Sequence, residues 1–172
     1  MKEDENTIKA EYAKQVVISP QTAFLVTSAL QTALDQGTGR MVRQLGFKLP
    51  AAGKTGTTND AWFVGYTPDL LCGIWVGSDN SPDLKMSGSL AALPIWTSFM
   101  EKARQLGFLS GSKFNQPPGV LNVSVDKRSG LRASRDCREV RNEIFLKGTE
   151  PQVICRNHKA ALVSKSSKFL LY

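Results

Sequence analysis

A chain of 172 residues, 41% hydrophobic and 22% charged, is long enough for one packed core and too ordinary in composition to be fibrous or disordered. No run approaches the roughly 18 apolar residues of a membrane helix, and the opening "MKEDENTIKAEYAK" lacks the apolar segment of a signal peptide. The net charge of +7 is uneven: residues 1–100 hold 8 Lys/Arg against 9 Asp/Glu, and residues 101–172 hold 14 against 6. The basic residues of the second part are interleaved with acids and have no aromatic stacking pattern. That describes a solvated surface and argues against a nucleic-acid partner.

Residues 1–14 read as a polar, frayed start. "QVVI" at 15–18 is a short strand candidate. A helix is predicted over 19–37, with Ser19 as N-cap and Pro20 at the first helical position. Val26, Leu30, Ala33 and Leu34 form its apolar stripe, and Gly37 stops it. "GTGRMVRQLG" is a glycine-bounded connector with room for a short helical turn. Three strands come next, at about 51–58, 61–67 and 70–77, the second turn being Thr67-Pro68-Asp69. A glycine-rich loop leads to a second helix at about 90–106, with Leu93, Trp96, Phe99, Met100 and Ala103 at helical spacing. "NQPPG" at 115–119 is the best boundary, dividing the chain into 1–114 and a small extension, 115–172. In the extension, "VLNVSVDKRSGLRAS" alternates and turns at Asp126–Gly130, which predicts a hairpin; residues 131–172 read as irregular. The order helix, three strands, helix is an α+β arrangement, an antiparallel sheet with flanking helices.

The stretch "AAGKTGTTNDAWFVGY" at 51–66 carries the chemistry. A phosphate-binding loop, G-x-x-x-x-G-K-[ST], would need a glycine at position 48, which is Lys48, and a helix after Thr55. Instead Thr55 leads into Gly56, two threonines and Trp62-Phe63-Val64, which favour a strand. The other reading is Lys54-Thr55-Gly56 as the K-T-G of a serine acyl-transfer enzyme. On a strand, Thr55 and Thr57 share one face and can grip one carboxylate. Lys54 supplies positive charge near a nucleophile or substrate carboxylate. Gly56 lets another backbone approach, and the Thr57 N–H is a candidate oxyanion donor. A bare K-T-G is short enough to arise by chance.

A longer pattern surrounds it. "QVVISPQTAFLVTSALQTALDQGTGR", "AGKTGTT", "DAWFVGYTPDLLCGIWVGSD", "AALPIWTSFM", "PPGVLNVSVDKRSG", "FLKGTEP" and two late cysteines occur in this order. Together they resemble the C-terminal part of the transpeptidase domain of class A penicillin-binding proteins, from about Gln15 to Cys155. The resemblance implies a partial penicillin-binding/β-lactamase-like fold with a small, irregular C-terminal β extension. It implies D-alanyl-D-alanine transpeptidation on peptidoglycan stem peptides and acylation by β-lactams. Lys54 is then the catalytic cation, and Thr55, Gly56 and Thr57 bind substrate. No cofactor or metal is implied. The place of action is the extracytoplasmic face of the bacterial membrane, or periplasm.

The family's motifs run S-x-x-K, S-x-N, K-T-G. Only the third stands in its place. Ser110-Gly111-Ser112-Lys113, Ser124 with Lys127, and Ser78-Asp79-Asn80 fit the first two patterns by letter, but all lie after K-T-G and on loops or strand ends. No nucleophile is therefore assigned in this chain. The missing N-terminal half of the domain becomes an expected partner, and the chain alone is expected to be inactive. The alternatives are a non-catalytic module, binding peptidoglycan peptide or serving as a structural half-domain, and a basic nucleic-acid binder. The sequence also has only Asn59 between Thr58 and Asp60, where the family commonly has a longer loop. The final "HKAALVSKSSKFLLY" takes no part in the resemblance.

Cys72, inside "LLCGIWVG", reads as a small buried apolar residue. Cys137 and Cys155 flank a polar segment, lack zinc-ligand spacing with other ligands, and have only one histidine, His158, for company. In an oxidising compartment they are expected to form a disulfide, worth about 3 kcal/mol on the chain-entropy model.

Overall fold

The computed structural model describes residues 15–57, 60–77 and 86–156. Helix α1 (Pro20–Asp35) begins where expected: Ser19 Oγ accepts from the Thr22 N–H at 3.1 Å. It ends at Asp35, and Gly37 serves it differently from a left-handed cap. Gly37 is not among the glycines with positive φ; a Cβ there would sit 2.7 Å from the Ala33 carbonyl oxygen. Close approach to the last turn is what requires glycine. The connector holds one short helix, α2 (Met41–Gln44). Its Arg43 reaches Asp35 Oδ1 at 2.7 Å and the carbonyls of Phe47 and Leu49 at 2.9 and 2.8 Å. One guanidinium thus ties the end of α1 to the chain entering the sheet.

Strands β1 (Ala52–Thr57), β2 (Ala61–Tyr66) and β3 (Leu71–Val76) form an antiparallel sheet in the order β1-β2-β3. Thr55 pairs with Phe63, and Phe63 with Ile74. Alternation puts Ala61, Phe63 and Gly65 on the inner face and Trp62 and Val64 on the outer one. The turn at Thr67–Leu70 closes through the Thr67 hydroxyl, which accepts from the N–H groups of Asp69 and Leu70 at 3.2 Å.

Helix α3 (Ala92–Gln105) lies on the inner face. Trp96 packs edge-on against Phe63 and Phe47, at centroid distances of 5.1 and 5.6 Å. Its indole N–H donates to the Gly65 carbonyl at 3.2 Å. Leu34, Val42, Ala51, Leu93 and Met100 complete a fully buried core around it. The outer face carries Trp62, Val64 and Trp75, each about 44% exposed, and Leu71 at 66%. The sheet is therefore covered on one face, with apolar side chains on the other. This is a mixed α+β fold of antiparallel sheet and flanking helices.

Four expectations are corrected. "QVVI" at 15–18 is not a strand; it has no partner among the described residues, and Val16 and Val17 are exposed. In α1 the buried positions are Thr27 and Leu34, with Val26 exposed, because the Thr27 hydroxyl turns inward to the Tyr66 hydroxyl at 2.9 Å. In α3 Phe99 is half-exposed, flanking the stripe of Leu93, Trp96, Met100 and Ala103. Cys72 is half-buried, packed on the margin of the core.

The extension is more regular than expected. The turn at Asp126–Gly130 forms: the Ser129 N–H and Oγ donate to Asp126 Oδ1 at 2.9 and 2.8 Å, and Gly130 adopts φ +69°. The returning chain makes the hairpin only briefly, with the Asp126 and Ala133 N–H groups donating to the Leu131 and Ser124 carbonyls at 2.9 and 2.8 Å. It contributes an isolated bridge, Val125 to Arg132, and the partner of β4 (Val120–Asp126) is β5 (Val140–Leu146), on the other edge. The cause is a turn at Ser134–Cys137, closed by the Cys137 N–H donating to the Ser134 carbonyl at 3.3 Å, which leads the chain away before a second strand can grow. The extension touches the rest through Gln21, whose amide donates to the Pro118 carbonyl at 2.8 Å, and through packing of α1 beside β5; Phe114, just ahead of the boundary, lies edge-on to Tyr66.

Candidate functional site

Among the described residues β1 is an edge strand, hydrogen-bonded to β2 alone. Its other side offers a row of backbone groups, the usual template for an extended peptide. Lys54 is exposed on this strand. Its ammonium donates to the Thr55 carbonyl at 2.9 Å and, more weakly, to Thr55 Oγ1 at 3.4 Å. An ammonium has no acceptor, so the Thr55 oxygen accepts there and its own proton is left for another partner. Thr38 Oγ1, 3.0 Å away, is one such partner. Cation and hydroxyls thus meet in one place.

Thr38 is held there by its neighbours. The Gly37 and Gly39 N–H groups both donate to the Ala33 carbonyl at 3.1 Å, which fixes the loop on the last turn of α1. A cleft of about 520 Å³ opens beside Thr38, lined also by Arg40, Gln44 and Ser89. Gly88, in the loop before α3, lies against the end of the β1–β2 hairpin; a Cβ there would overlap the carbonyl oxygens of Trp62 and Gly56. A ligand on the β1 edge would meet a positive charge, two hydroxyls and open backbone. That suits a carboxylate-bearing peptide.

Gly56 faces Trp62 across the strands, where a Cβ would lie 3.2 Å from the Trp62 Cβ. Thr57 pairs with Ala61, and its backbone groups point to the same side of β1 as those of Thr55. Thr58, Asn59 and Ser78-Asp79-Asn80 lie outside the described residues. Ser110 Oγ and N–H are bound to the Asp69 carboxylate at 2.9–3.0 Å. Ser124 Oγ donates to Asn142 Oδ1 at 2.7 Å on the β4–β5 sheet. Both serines are engaged in structural contacts away from β1. Cys137 and Cys155 come together, joined by a residue that sequence reasoning missed: a carboxylate oxygen of Asp126 and the two Sγ atoms all lie within 4.8 Å of one another. Thr38 was also missed. Its only signal in the sequence was its place between two glycines just ahead of the strand.

Residues 1–101 match the penicillin binding protein transpeptidase domain. This chain belongs to the penicillin-binding protein transpeptidase family. Residues 116–160 match a second family profile, penicillin-binding protein 1A, C-terminal domain. The chain is similar to penicillin-binding protein 1A of Aquifex aeolicus, 35% identical over 164 residues, covering 92% of this chain and 21% of that protein. It is similar to penicillin-binding protein 1A of Pseudomonas aeruginosa, 38% identical over 128 residues, covering 69% and 15%. The Escherichia coli protein of the same name is 34% identical over 166 residues, covering 82% and 19%. The chain thus spans about a fifth of the length of the curated relatives it matches. Among the described residues no helix is long and apolar enough to cross a membrane.

Proposed function

We propose that this chain supplies the K-T-G wall of a D-alanyl-D-alanine transpeptidase that cross-links peptidoglycan on the extracytoplasmic side of a bacterial membrane. The observation that carries the reading is the meeting of Lys54, Thr55 and Thr38 at the open edge of β1. In the reaction a serine oxygen attacks the penultimate D-Ala carbonyl of a stem peptide. The C–O bond forms, the C–N bond breaks, and the terminal D-Ala leaves with the proton. An amine on a neighbouring stem then attacks the ester and restores the serine. Lys54 holds positive charge beside the proton path. Thr55 and Thr57 bind the terminal carboxylate, and the Thr57 N–H faces the developing oxyanion. β-Lactams enter by the same route and acylate the same serine.

That serine belongs to an S-x-x-K motif, which this sequence does not carry ahead of Lys54. The partner is the half of the domain bearing S-x-x-K and S-x-N, and the apolar outer face of Trp62, Val64 and Trp75 is the surface for it to cover. The functional boundary lies at residues 115–119, with the extension acting as a separate small unit. In oxidised protein Cys137 and Cys155 form a disulfide, which non-reducing peptide mapping reads directly.

The test joins this chain to an N-terminal transpeptidase half from a relative and measures labelling by a fluorescent penicillin. The joined domain should be acylated and the chain alone should give no adduct by intact mass. A stoichiometric adduct on a serine of the isolated chain would overturn the assignment.

A further inference from the structure

Asp126, Cys137 and Cys155 come from three separate pieces of chain: the end of β4, the turn before β5, and the segment after β5. Their ligand atoms lie within 4.8 Å of one another. Asp126 is 1% exposed and Cys155 5%, while Cys137 is half-buried, so the cluster is largely shielded from water. We propose that these three side chains bind one zinc-type divalent cation when the two thiols are reduced. The site concerns the reduced chain only, and the disulfide proposed above is the oxidised state of the same two sulphurs.

Thiolates select zinc-class ions, and a carboxylate completes a three-ligand set with water in the fourth position. On a tetrahedral ion with Zn–S of about 2.3 Å and Zn–O of about 2.1 Å, neighbouring ligand atoms sit about 3.5–3.8 Å apart. The cluster needs to tighten by about an ångström at most. Its frame is already fixed. The Asp126 N–H donates to the Leu131 carbonyl at 2.9 Å, the Arg132 N–H to Val153 at 3.0 Å, and the Cys155 N–H to Arg132 at 2.9 Å. The segments bearing Asp126 and Cys155 are thus pinned around Arg132, and the Cys137 N–H closes its own turn on the Ser134 carbonyl at 3.3 Å.

The surrounding donors suit metal ligands. The Ser134 N–H donates to Cys137 Sγ at 3.3 Å. The Ser129 N–H and Oγ orient Asp126 through Oδ1, and the same hydroxyl lies 3.7 Å from Cys155 Sγ. Such outer contacts aim ligands. Capping the Asp126–Gly130 turn would explain a carboxylate there, but not its place beside both sulphurs. A disulfide uses the sulphurs alone; a cation uses all three. Binding releases one proton from each thiol, so affinity falls as pH is lowered. A disulfide removes both thiolates, and the oxidised chain should bind nothing.

The experiment titrates the reduced full chain with Zn²⁺ alone under anaerobic conditions and counts retained metal after gel filtration. Co²⁺ in its place reports sulphur ligation through a thiolate-to-metal charge-transfer band. One ion per chain is expected, with release of about two protons. Asp126→Asn should weaken binding by roughly 10–100-fold or more, Cys137→Ser should weaken it further, and Cys72→Ser should leave it unchanged. If Asp126→Asn fails to fold by circular dichroism, the wild-type stoichiometry and cobalt spectrum decide. A reduced wild-type chain that retains no zinc overturns the proposal. So does a folded Asp126→Asn chain that binds as tightly as wild type.

Discussion

The β1–β3 sheet and the β4–β5 sheet differ in what lies on their faces. The first has an inner face closed by Trp96, Phe47 and Met100 into a fully buried core, and an apolar outer face. The second has two strands, of which β4 buries Val120, Val123 and Val125 while β5 is half-buried at best. Its order comes from turns and backbone hydrogen bonds around Arg132. One region is maintained by apolar area removed from water, the other by local polar closure. The two should therefore fail under different insults.

The largest effect is expected at Trp96. Trp96→Ala opens a cavity between Phe63 and Phe47 and removes the bond to Gly65, at a cost of about 3–5 kcal/mol. A denaturant melt followed by near-ultraviolet circular dichroism should show the β1–β3 region lost first. Persistence of its signal at the wild-type midpoint would break the comparison.

Next is the proposed Cys137–Cys155 disulfide. In oxidised protein Cys137→Ser should destabilise the extension by about 3 kcal/mol and leave protection in β1–β3 unchanged. Amide hydrogen exchange resolved by peptide separates the two. Equal loss of protection in both sheets would mean that they fold as one unit.

The smallest effect is at Glu150. Backbone N–H groups of Glu150 itself and of Gly148, the latter at 2.6 Å, hold its carboxyl below the usual carboxylate range, with Gln152 and Arg132 adding to the effect. A lowered folded pKa stabilises the fold above the unfolded value and is lost as pH falls through the folded one. The Glu150 carboxyl lies at the protein surface, so the effect is slight and confined to the turn after β5. Melting temperatures of wild type and Glu150→Gln should differ above pH 4.5 and converge in stronger acid. A gap that widens on acidification would contradict the sign.

Most of the first region could be read from the sequence. Alternation in "AWFVGY" gives β2 and both its faces, and Ser19-Pro20 gives the start of α1. What escaped were contacts that depend on tertiary geometry. Phe99 fits a helical stripe by spacing, yet the core is already filled by Trp96 and Met100. Thr38 meets Thr55 only because two glycine N–H groups hold its loop on α1. In the extension the turn at Asp126 was legible but not the partner of β4, since pairing with β5 skips the intervening residues. Asp126 looked like a turn residue, and its position beside two sulphurs has no sequence period.

The measurement closest to the central claim uses the joined transpeptidase domain and compares the rate of penicillin acylation in Lys54→Ala and Ser110→Ala. Lys54→Ala should slow acylation by roughly 100-fold or more, the range of a positioned proton-transfer group. Ser110→Ala, whose hydroxyl is bound to Asp69 at the β2–β3 turn, should acylate at the wild-type rate. Acylation abolished by Ser110→Ala and left intact by Lys54→Ala would contradict the account.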